Sequence, residues 1–435
     1  MKLNMYAISV ATLLSINMAH ATDIQSLLSA LDNRPEDKLE LLSVNKSQLA
    51  QQALDDKLMP TVDVYGGYER YTSPNGLLPV APNKLTGMVK NQSVAQPFSK
   101  GILREGVKFT WPLFIKSINS LKEKAKLLHL ATKEKRKLDI YQRQAMVVGA
   151  VAQLQYLESL KSALQTKKES ILQTKETTNL KVDVGRTPPS ALFKLNAHIN
   201  DLDIAMNNID QNTNLLLSQI ESLTDIELKH SVPLSLQKEI EKGNIFALKA
   251  LSTKVKASKK DIDASLEASY PTVVTKGNYT YSQAYSYNND KFMTEDFGSL
   301  GVFVSMPLYD NSKDTDTQKA KLAYLKNQTL YEQTKHNLTV EAKKLSKEIE
   351  LLENSMVLSQ QSVEEQERLL KIAKVSLENK VSTQEEYLRY EDALADAKAK
   401  LYSFRAKKWQ DIARLAVIYG NDLKGVLRSI TSPNP

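Results

Sequence analysis

Cysteine is absent from this 435-residue chain. Its absence excludes disulfides, thiolate metal sites and a lipid-modified N-terminal cysteine. Past residue 21 there is no run of 18 apolar residues, so the sequence predicts no transmembrane helix. Proline and glycine are scarce in two long stretches, 115–184 and 310–379, which contain no proline and a single glycine, Gly149. We therefore expect each stretch to form a long, uninterrupted helix.

A catalytic or metal-binding constellation is also missing from the sequence. The four histidines beyond residue 21 are scattered, without a metal-ligand spacing such as H-E-x-x-H; they are His129, His198, His230 and His336. The net charge of +8 arises from charges of both signs that are interleaved along predicted helices, which is typical of solvated helix faces. We predict no enzymatic activity, no cofactor, no metal and no nucleic-acid partner.

The first 21 residues have the pattern of a signal peptide. Lys2 provides a positive charge, residues 7–16 are apolar, and Ala19-His20-Ala21 forms an A-x-A cleavage site. A short membrane anchor is the alternative, but the apolar run is far below the roughly 20 residues that span a bilayer. We expect export and a mature chain that begins at Thr22.

Two segments of the first half return in the second half, in the same order. Met59–Tyr68 returns as Tyr270–Tyr279, at an offset of 211 residues, and Gly106–Phe114 returns as Gly301–Tyr309, at an offset of 195. An internal repeat indicates two structural units of the same kind. The predicted division is a first repeat at 22–225, a linker at 226–241, a second repeat at 242–425 and a C-terminal tail at 426–435.

Each repeat predicts an opening helix, two strands joined by a long loop, and a helical hairpin. The predicted strands are 60–71, 104–114, 271–282 and 297–309, and the predicted loops are 72–99 and 282–296. The predicted hairpins are 115–225, with a tip near 185, and 310–420, with a tip near 381. Leucines and other apolar residues recur every seven positions along the hairpins, for example Leu157, Leu164 and Ile171, which indicates coiled-coil packing.

Apolar and polar residues alternate along the predicted strands. One face carries Val107, Phe109 and Trp111, and the repeat places Val302, Val304 and Met306 at the equivalent positions. Such alternation is typical of a barrel strand with lipid on one side and water on the other, although a soluble sheet with one buried face alternates in the same way. Four strands cannot close a barrel, so we expect several chains in a cyclic homo-oligomer.

Taken together, these features resemble the TolC family of outer-membrane efflux and secretion channels. The resemblance covers essentially the whole mature chain and rests on the paired Pro-Thr-Val strands, the paired Gly-Val-x-x-x-x-Pro-Leu strands and the breaks within the hairpins. It implies a mixed α/β membrane protein, a homotrimer with a 12-stranded β-barrel built from four strands per subunit, continued by a long α-helical coiled-coil barrel through the periplasm.

The same resemblance implies a location, a function and partners. The chain would be the outer-membrane exit channel of a tripartite efflux pump or type I secretion system, and would conduct substrates passively. Its partners would be a periplasmic adaptor and an inner-membrane pump of the efflux or ABC type. A periplasmic adaptor is itself the main alternative, but an adaptor typically needs one hairpin whereas this chain has two. A soluble coiled-coil scaffold is disfavoured by the aromatic strand faces.

Site residues follow from the family's Val-Gly-x-Thr/Ser tip. The resemblance assigns adaptor docking to Val184, Gly185, Arg186, Thr187, Val381 and Ser382, and a constriction of the periplasmic entrance to Glu385, Glu386 and Arg389. The second tip departs from the family because Lys380 replaces glycine, so we expect a different turn there. An alternative for the glutamates is that they are solvated carboxylates that stabilise a helix N-terminus.

Overall fold

The computed structural model of this chain describes residues 23–80, 82–91, 93–379 and 381–428. The predicted signal peptide and residues 429–435 of the predicted tail lie outside this part of the chain. The helices are α1 (Ile24–Ala30), α2 (Pro35–Asp56), α3 (Pro82–Lys90), α4 (Lys116–Asp183), α5 (Ser190–Thr224), α6 (Lys249–Glu267), α7 (Asn311–Glu378), α8 (Gln384–Tyr419) and α9 (Leu423–Val426). The strands are β1 (Thr61–Gly76), β2 (Phe98–Ile115), β3 (Thr272–Tyr285) and β4 (Phe292–Ser305).

The chain divides into two compact units, and these units are not the two sequence repeats. The strand unit comprises residues 38–137 and 247–338. The helical unit comprises the described residues up to 37, together with 138–246 and 339–428. Each unit therefore combines a segment of the first repeat with a segment of the second.

In the strand unit, one antiparallel sheet contains all four strands in the order β1-β2-β3-β4. Thr61 of β1 lies opposite Thr110 of β2, and Thr272 of β3 lies opposite Ser305 of β4. Thr272 follows Thr61 by 211 residues, and Ser305 follows Thr110 by 195, which are the two offsets of the sequence repeat. Both strand pairs therefore have the same register. Hydrogen bonds between β2 and β3 join the two pairs into one sheet.

The strands differ in length from those that the sequence predicts. β3 continues to Tyr285 and β4 begins at Phe292. The predicted long loop at 282–296 is therefore wrong, and only residues 286–291 form the turn. Ser282 of this segment pairs with Glu295 across the strands, whereas the polar residues Ser286, Asn288, Asn289 and Asp290 do lie in the turn. The other predicted loop, 72–99, contains the end of β1, helix α3 and the start of β2.

The predicted position of Met306 on the apolar strand face needs correction, and β2 contains an irregularity that the sequence does not indicate. β4 ends at Ser305, so Met306 lies outside the strand; it precedes Pro307, which has no N–H to donate to a ladder. In β2 the register shifts between Pro112 and Phe114, so Leu113 is left between two paired residues. Phe114 takes its place opposite Val273, as expected for a β-bulge.

The register sorts the side chains of the sheet into two faces, because opposed residues of neighbouring strands share a face. The apolar face contains Val62, Val64, Val107, Phe109, Trp111, Leu300, Val302 and Val304. The polar face contains Asp63, Glu69, Arg104, Lys108, Lys276, Asn278, Ser282 and Ser299. Pairing thus extends the alternation of single strands across the sheet from the end nearest α4 as far as Tyr281, where Glu105 and Asp296 lie on the apolar face.

The helical unit has its main core where α1 and α9 pack against the long helices. Ile24, Leu27 and Leu28 of α1 are fully buried with Val151 of α4 and Ala416 of α8. A separate cluster on α4 and α5 contains Ile171, Leu195 and Leu202, and another on α7 and α8 contains Val363, Ala397 and Leu401. In the part of the chain described here, no helix is both long enough and apolar enough to span a bilayer.

Candidate functional site

The first hairpin tip is a helix C-terminus that requires glycine. After α4 ends at Asp183, Gly185 has a φ of +71°, in the left-handed region. The Gly185 N–H donates to the Val182 carbonyl at 2.9 Å, and the Arg186 N–H donates to the Lys181 carbonyl at 2.7 Å. These two bonds form a Schellman motif, which satisfies helix carbonyls that would otherwise lack partners.

The second tip is closed by a hydrogen bond of the same kind. The Val381 N–H donates to the Ser376 carbonyl at 2.9 Å, the same five-residue separation as between Arg186 and Lys181. The Ser382 N–H also approaches the Ser376 carbonyl, at 3.3 Å. Lys380 lies outside the described residues, so the expectation of a different backbone turn at that residue stays a prediction.

Both tips present side chains to solvent within the helical unit. Val184 at the first tip is 66% exposed and Val381 at the second is 81% exposed. Gly185 and Arg186 are exposed too, whereas Thr187 and Ser382 are half-buried. The six predicted docking residues therefore lie on two exposed helix-to-helix turns, which is the geometry that a protein partner can reach.

Glu386, predicted to constrict the entrance, takes part in a helix cap. The Glu386 N–H donates to Thr383 Oγ1, and the Thr383 N–H donates to Glu386 Oε2, both at 3.2 Å. This reciprocal arrangement is a capping box at the start of α8. Glu385 and Arg389 are exposed on the same end of the helix. The cap supports the alternative role of Glu386, although its exposed carboxylate still adds charge beside the tip.

A buried hydrogen-bonded group behind the second tip escaped the sequence analysis. The Tyr387 hydroxyl lies 2.7 Å from Ser170 Oγ of α4 and 2.6 Å from Glu391 Oε1 of α8. Burial, followed by the hydrogen bond to Glu391, raises the pKa of Tyr387 to about 12, so the phenol keeps its proton at neutral pH. The other oxygen of Glu391, Oε2, is buried without a hydrogen-bond partner among the described residues. The heptad pattern marks Tyr387 as a packing residue but cannot identify Ser170 as its partner.

Comparison with known proteins identifies the second half of the chain. Residues 241–421 match the family model described as outer membrane efflux protein. The match covers 181 of the 435 residues, so it relates this part of the chain to that family. The matched residues include β3, β4, the second hairpin and the tip at 381–382. Curated proteins provide no match to the chain.

Solved structures show that the fold of nearly the whole chain is similar to that of known outer-membrane proteins. The outer membrane protein VceC of Vibrio cholerae is 14% identical, with a TM-score of 0.74 over 93% of this chain and 96% of that chain. The outer membrane channel CmeC of Campylobacter jejuni is 15% identical, with a TM-score of 0.74 over 93% and 85%. The open state of the outer membrane channel MtrE of Neisseria gonorrhoeae is 16% identical, with a TM-score of 0.72 over 92% and 90%.

These comparisons confirm the resemblance and the mixed α/β fold that the sequence indicates. The alternative of a periplasmic adaptor is not supported, because the matched structures are outer-membrane proteins and channels.

Proposed function

We propose that this chain is the outer-membrane exit channel of a tripartite efflux pump or type I secretion system. Three copies would form a 12-stranded β-barrel, four strands from each, with the helices continuing the duct into the periplasm. The duct would be a passive conduit rather than an enzyme. The observation that carries this proposal is the uncovered apolar face of the sheet.

The apolar face has nearly the extent of a membrane. Its side chains stand open to the surroundings of the chain: Val64 is 81% exposed and Leu300 is 77% exposed. Along β4 the uncharged positions of this face run from Val304 to Gly298, six residues further towards the other end, which corresponds to about 20 Å at 3.3 Å per residue, and the charged Asp296 comes next. The lipid-facing band of outer-membrane barrels is about 25 Å tall. An apolar surface of this size needs a covering, and lipid fits its height.

Aromatic residues border this band at both ends. Trp111 and Phe114 lie at the end nearest α4, and Tyr279 and Tyr281 lie towards the opposite end. Aromatic girdles at the two membrane interfaces are characteristic of outer-membrane barrels. A buried face inside a soluble sandwich would not require such rows. We therefore assign the apolar face, including Val107, Phe109, Trp111, Val302 and Val304, to lipid.

The edges of the sheet support a trimer. In the described part of the chain, β1 pairs only with β2, and β4 pairs only with β3. Unpaired backbone groups at membrane depth are costly, so each edge requires a strand from another copy. Since β1 and β4 are the two edges of the sheet and run in opposite directions, β4 of one copy can pair with β1 of the next copy in the antiparallel sense, and a ring of three sheets closes without a free edge. The matching registers of β1–β2 and β3–β4 also support a duplicated structural unit.

The mature protein in mild detergent should behave as a homotrimer and should fractionate with the outer membrane. Native mass spectrometry, together with sucrose-gradient fractionation, measures both properties. A stable, folded monomer in detergent would contradict closure by three sheets. Recovery in the soluble periplasmic fraction would contradict the channel itself.

We place adaptor docking at the exposed tips, residues 184–187 and 381–382, with an inner-membrane pump beyond the adaptor. The turns lie where long helices reverse, and their valines offer apolar contacts. Glu386, with Glu385 and Arg389 beside it, would set the charge at the periplasmic entrance in three copies. The capping box means that a substitution at Glu386 affects both charge and helix stability.

A pair of substitutions separates these two effects of Glu386. Glu386→Gln keeps an oxygen that can accept the Thr383 N–H, so it should leave thermal stability unchanged while lowering the preference of the channel for cations. Glu386→Ala should change the ion preference equally and should also cost about 0.5–1.5 kcal/mol, because the Thr383 N–H loses its acceptor while Thr383 Oγ1 keeps its bond to the N–H of residue 386. Reversal potentials in planar bilayers and thermal melts measure the two quantities. If the unsubstituted protein and both variants have the same ion preference, Glu386 does not contribute to the charge at the entrance.

A further inference from the structure

The connection between β1 and β2 folds onto the polar face of the sheet at the end remote from α4. β1 has an irregularity just before it enters this connection, because its register with β2 shifts between Arg70 and Asn75. Four residues of β1 lie between these positions, whereas only Lys100 lies between their partners Gly101 and Ser99. Extra residues of this kind bend a strand and are common at barrel rims.

Leu77 is the apolar anchor of the connection. It is 2% exposed and packs with Ile102 and Ala284, which are also buried. The register places Ile102 and Ala284 on the polar face, since Ile102 lies opposite Glu69 and Ala284 lies opposite Ile102. The connection therefore turns towards the side of the sheet that lines water in the proposed channel, rather than away from the sheet.

Arg104 holds the same segment by its backbone. Its guanidinium donates to the Leu77 carbonyl at 2.8 Å and to the Gly76 carbonyl at 2.9 Å. It also donates to Glu69 Oε2 at 3.0 Å and to Ser282 Oγ at 3.2 Å. A charged donor with four acceptors in fixed positions is a strong clamp, because charge-assisted hydrogen bonds are roughly twice as strong as neutral ones.

The far end of the connection is held by the turn between β3 and β4. The Asn288 amide donates to the Val94 carbonyl at 2.9 Å, and Asn288 Oδ1 accepts from the Gln96 N–H at 3.0 Å. The two ends also meet directly, because the Leu77 N–H donates to the Pro97 carbonyl at 3.0 Å. We call residues 76–80 and 93–97 the outer neck.

We propose that the outer neck is a size-limiting constriction at the exterior mouth of the channel, with Arg104 as its positioning residue. This inference rests on the proposed function, in which the polar face surrounds the lumen and three necks face one another. Barrels with more strands than are needed to fill the interior leave an aqueous opening. Three segments pinned against the inner wall narrow that opening for hydrophilic solutes that enter from outside.

The absence of cysteine allows a direct test of the neck. Leu77→Cys provides a single buried thiol, and a sulfonated, membrane-impermeant maleimide reports its accessibility in the detergent-solubilised trimer. Adding Arg104→Ala should raise the labelling rate at least about tenfold, because labelling tracks the opened population. Asn288→Ala removes the second attachment of the connection and should also raise the labelling rate of Leu77→Cys. It therefore tests the neck independently if Arg104→Ala impairs folding. The matched control is Lys108→Ala on the same face, since the Lys108 ammonium lies over the Tyr65 ring instead.

Single-channel conductance, measured in potassium chloride across planar bilayers, tests whether the neck limits passage through the channel. Arg104→Ala and Asn288→Ala should each raise single-channel conductance about twofold or more, since a wider constriction passes more ions, and Lys108→Ala should not. Labelling and conductance that remain at the unsubstituted level in both neck variants would overturn the constriction. Faster labelling with unchanged conductance would overturn it too. A complete lack of conductance in the unsubstituted trimer would instead overturn the proposed function.

Discussion

Leu300→Lys should prevent assembly of the channel in the outer membrane, whereas Ser299→Lys should be tolerated. Leu300 lies on the apolar face and is 77% exposed, while its neighbour Ser299 lies on the polar face, opposite Asn278. A lysine near the bilayer midplane of a barrel costs about 2–4 kcal/mol. A trimer incurs this cost three times, which is comparable to the whole stability of many domains. A lysine that faces the water-filled lumen incurs no such cost.

The two lysine variants are a matched pair, because they add the same side chain one residue apart on β4. Heat-modifiable migration of the trimer and its yield in outer-membrane fractions measure assembly. Equal loss of trimer in both variants would mean that neither face is specific for lipid. Loss in Ser299→Lys alone would reverse the assignment of the two faces.

Gly185→Val should abolish export through the pump while leaving the trimer in the membrane. A Cβ at this residue would have no non-neighbouring atom within 4 Å, so a clash of the Cβ is not the reason. The reason is the φ of +71°, which disfavours residues with a Cβ by about 1–2 kcal/mol and β-branched residues most. A turn that relaxes to another conformation moves Val184 and Arg186, and with them the proposed docking surface.

Gly243→Val is the control for this substitution, because Gly243 also has open space around it but no positive φ. Gly185→Ala introduces the backbone strain with the smallest possible side chain and should reduce export partially. Export is measured as the resistance of cells to a pump substrate, or as secreted protein, at equal amounts of outer-membrane trimer. Normal export by Gly185→Val would remove residues 184–187 from the docking surface.

Local signals in the sequence predicted much of the architecture. The alternation at Val107, Phe109 and Trp111 placed these three residues on one face of the sheet, as the register shows, because each strand carries its own period. Glycine at 185 marked the first turn, because a left-handed residue has few substitutes. The repeat aligned the strand pairs because both copies keep the same register.

What the sequence did not predict depends on distant partners or short elements. Helix α1 has only seven residues, too few for a helical period to emerge, yet it supplies Ile24, Leu27 and Leu28 to the core. Val426 and Leu427 were assigned to a tail but are buried in the same core. The hydrogen bonds between Tyr387 and Ser170, and between Arg104 and Leu77, join residues that are distant in the sequence. The residues adjacent to each of them do not indicate the partner. Only the fold brings such pairs together.

The pairing of β2 with β3 has a consequence for the order of folding. These strands lie on either side of residues 116–271, which contain the whole first hairpin, so their register is a contact of high sequence separation and should form slowly. An exported chain emerges with its N-terminus first, and β1 and β2 would wait as an isolated pair of strands until the second half arrives. Two strands alone are marginally stable in water. During that interval the apolar face of β1 and β2 would lack β3 beside it, so a chain cut after the first hairpin should not form a smaller channel.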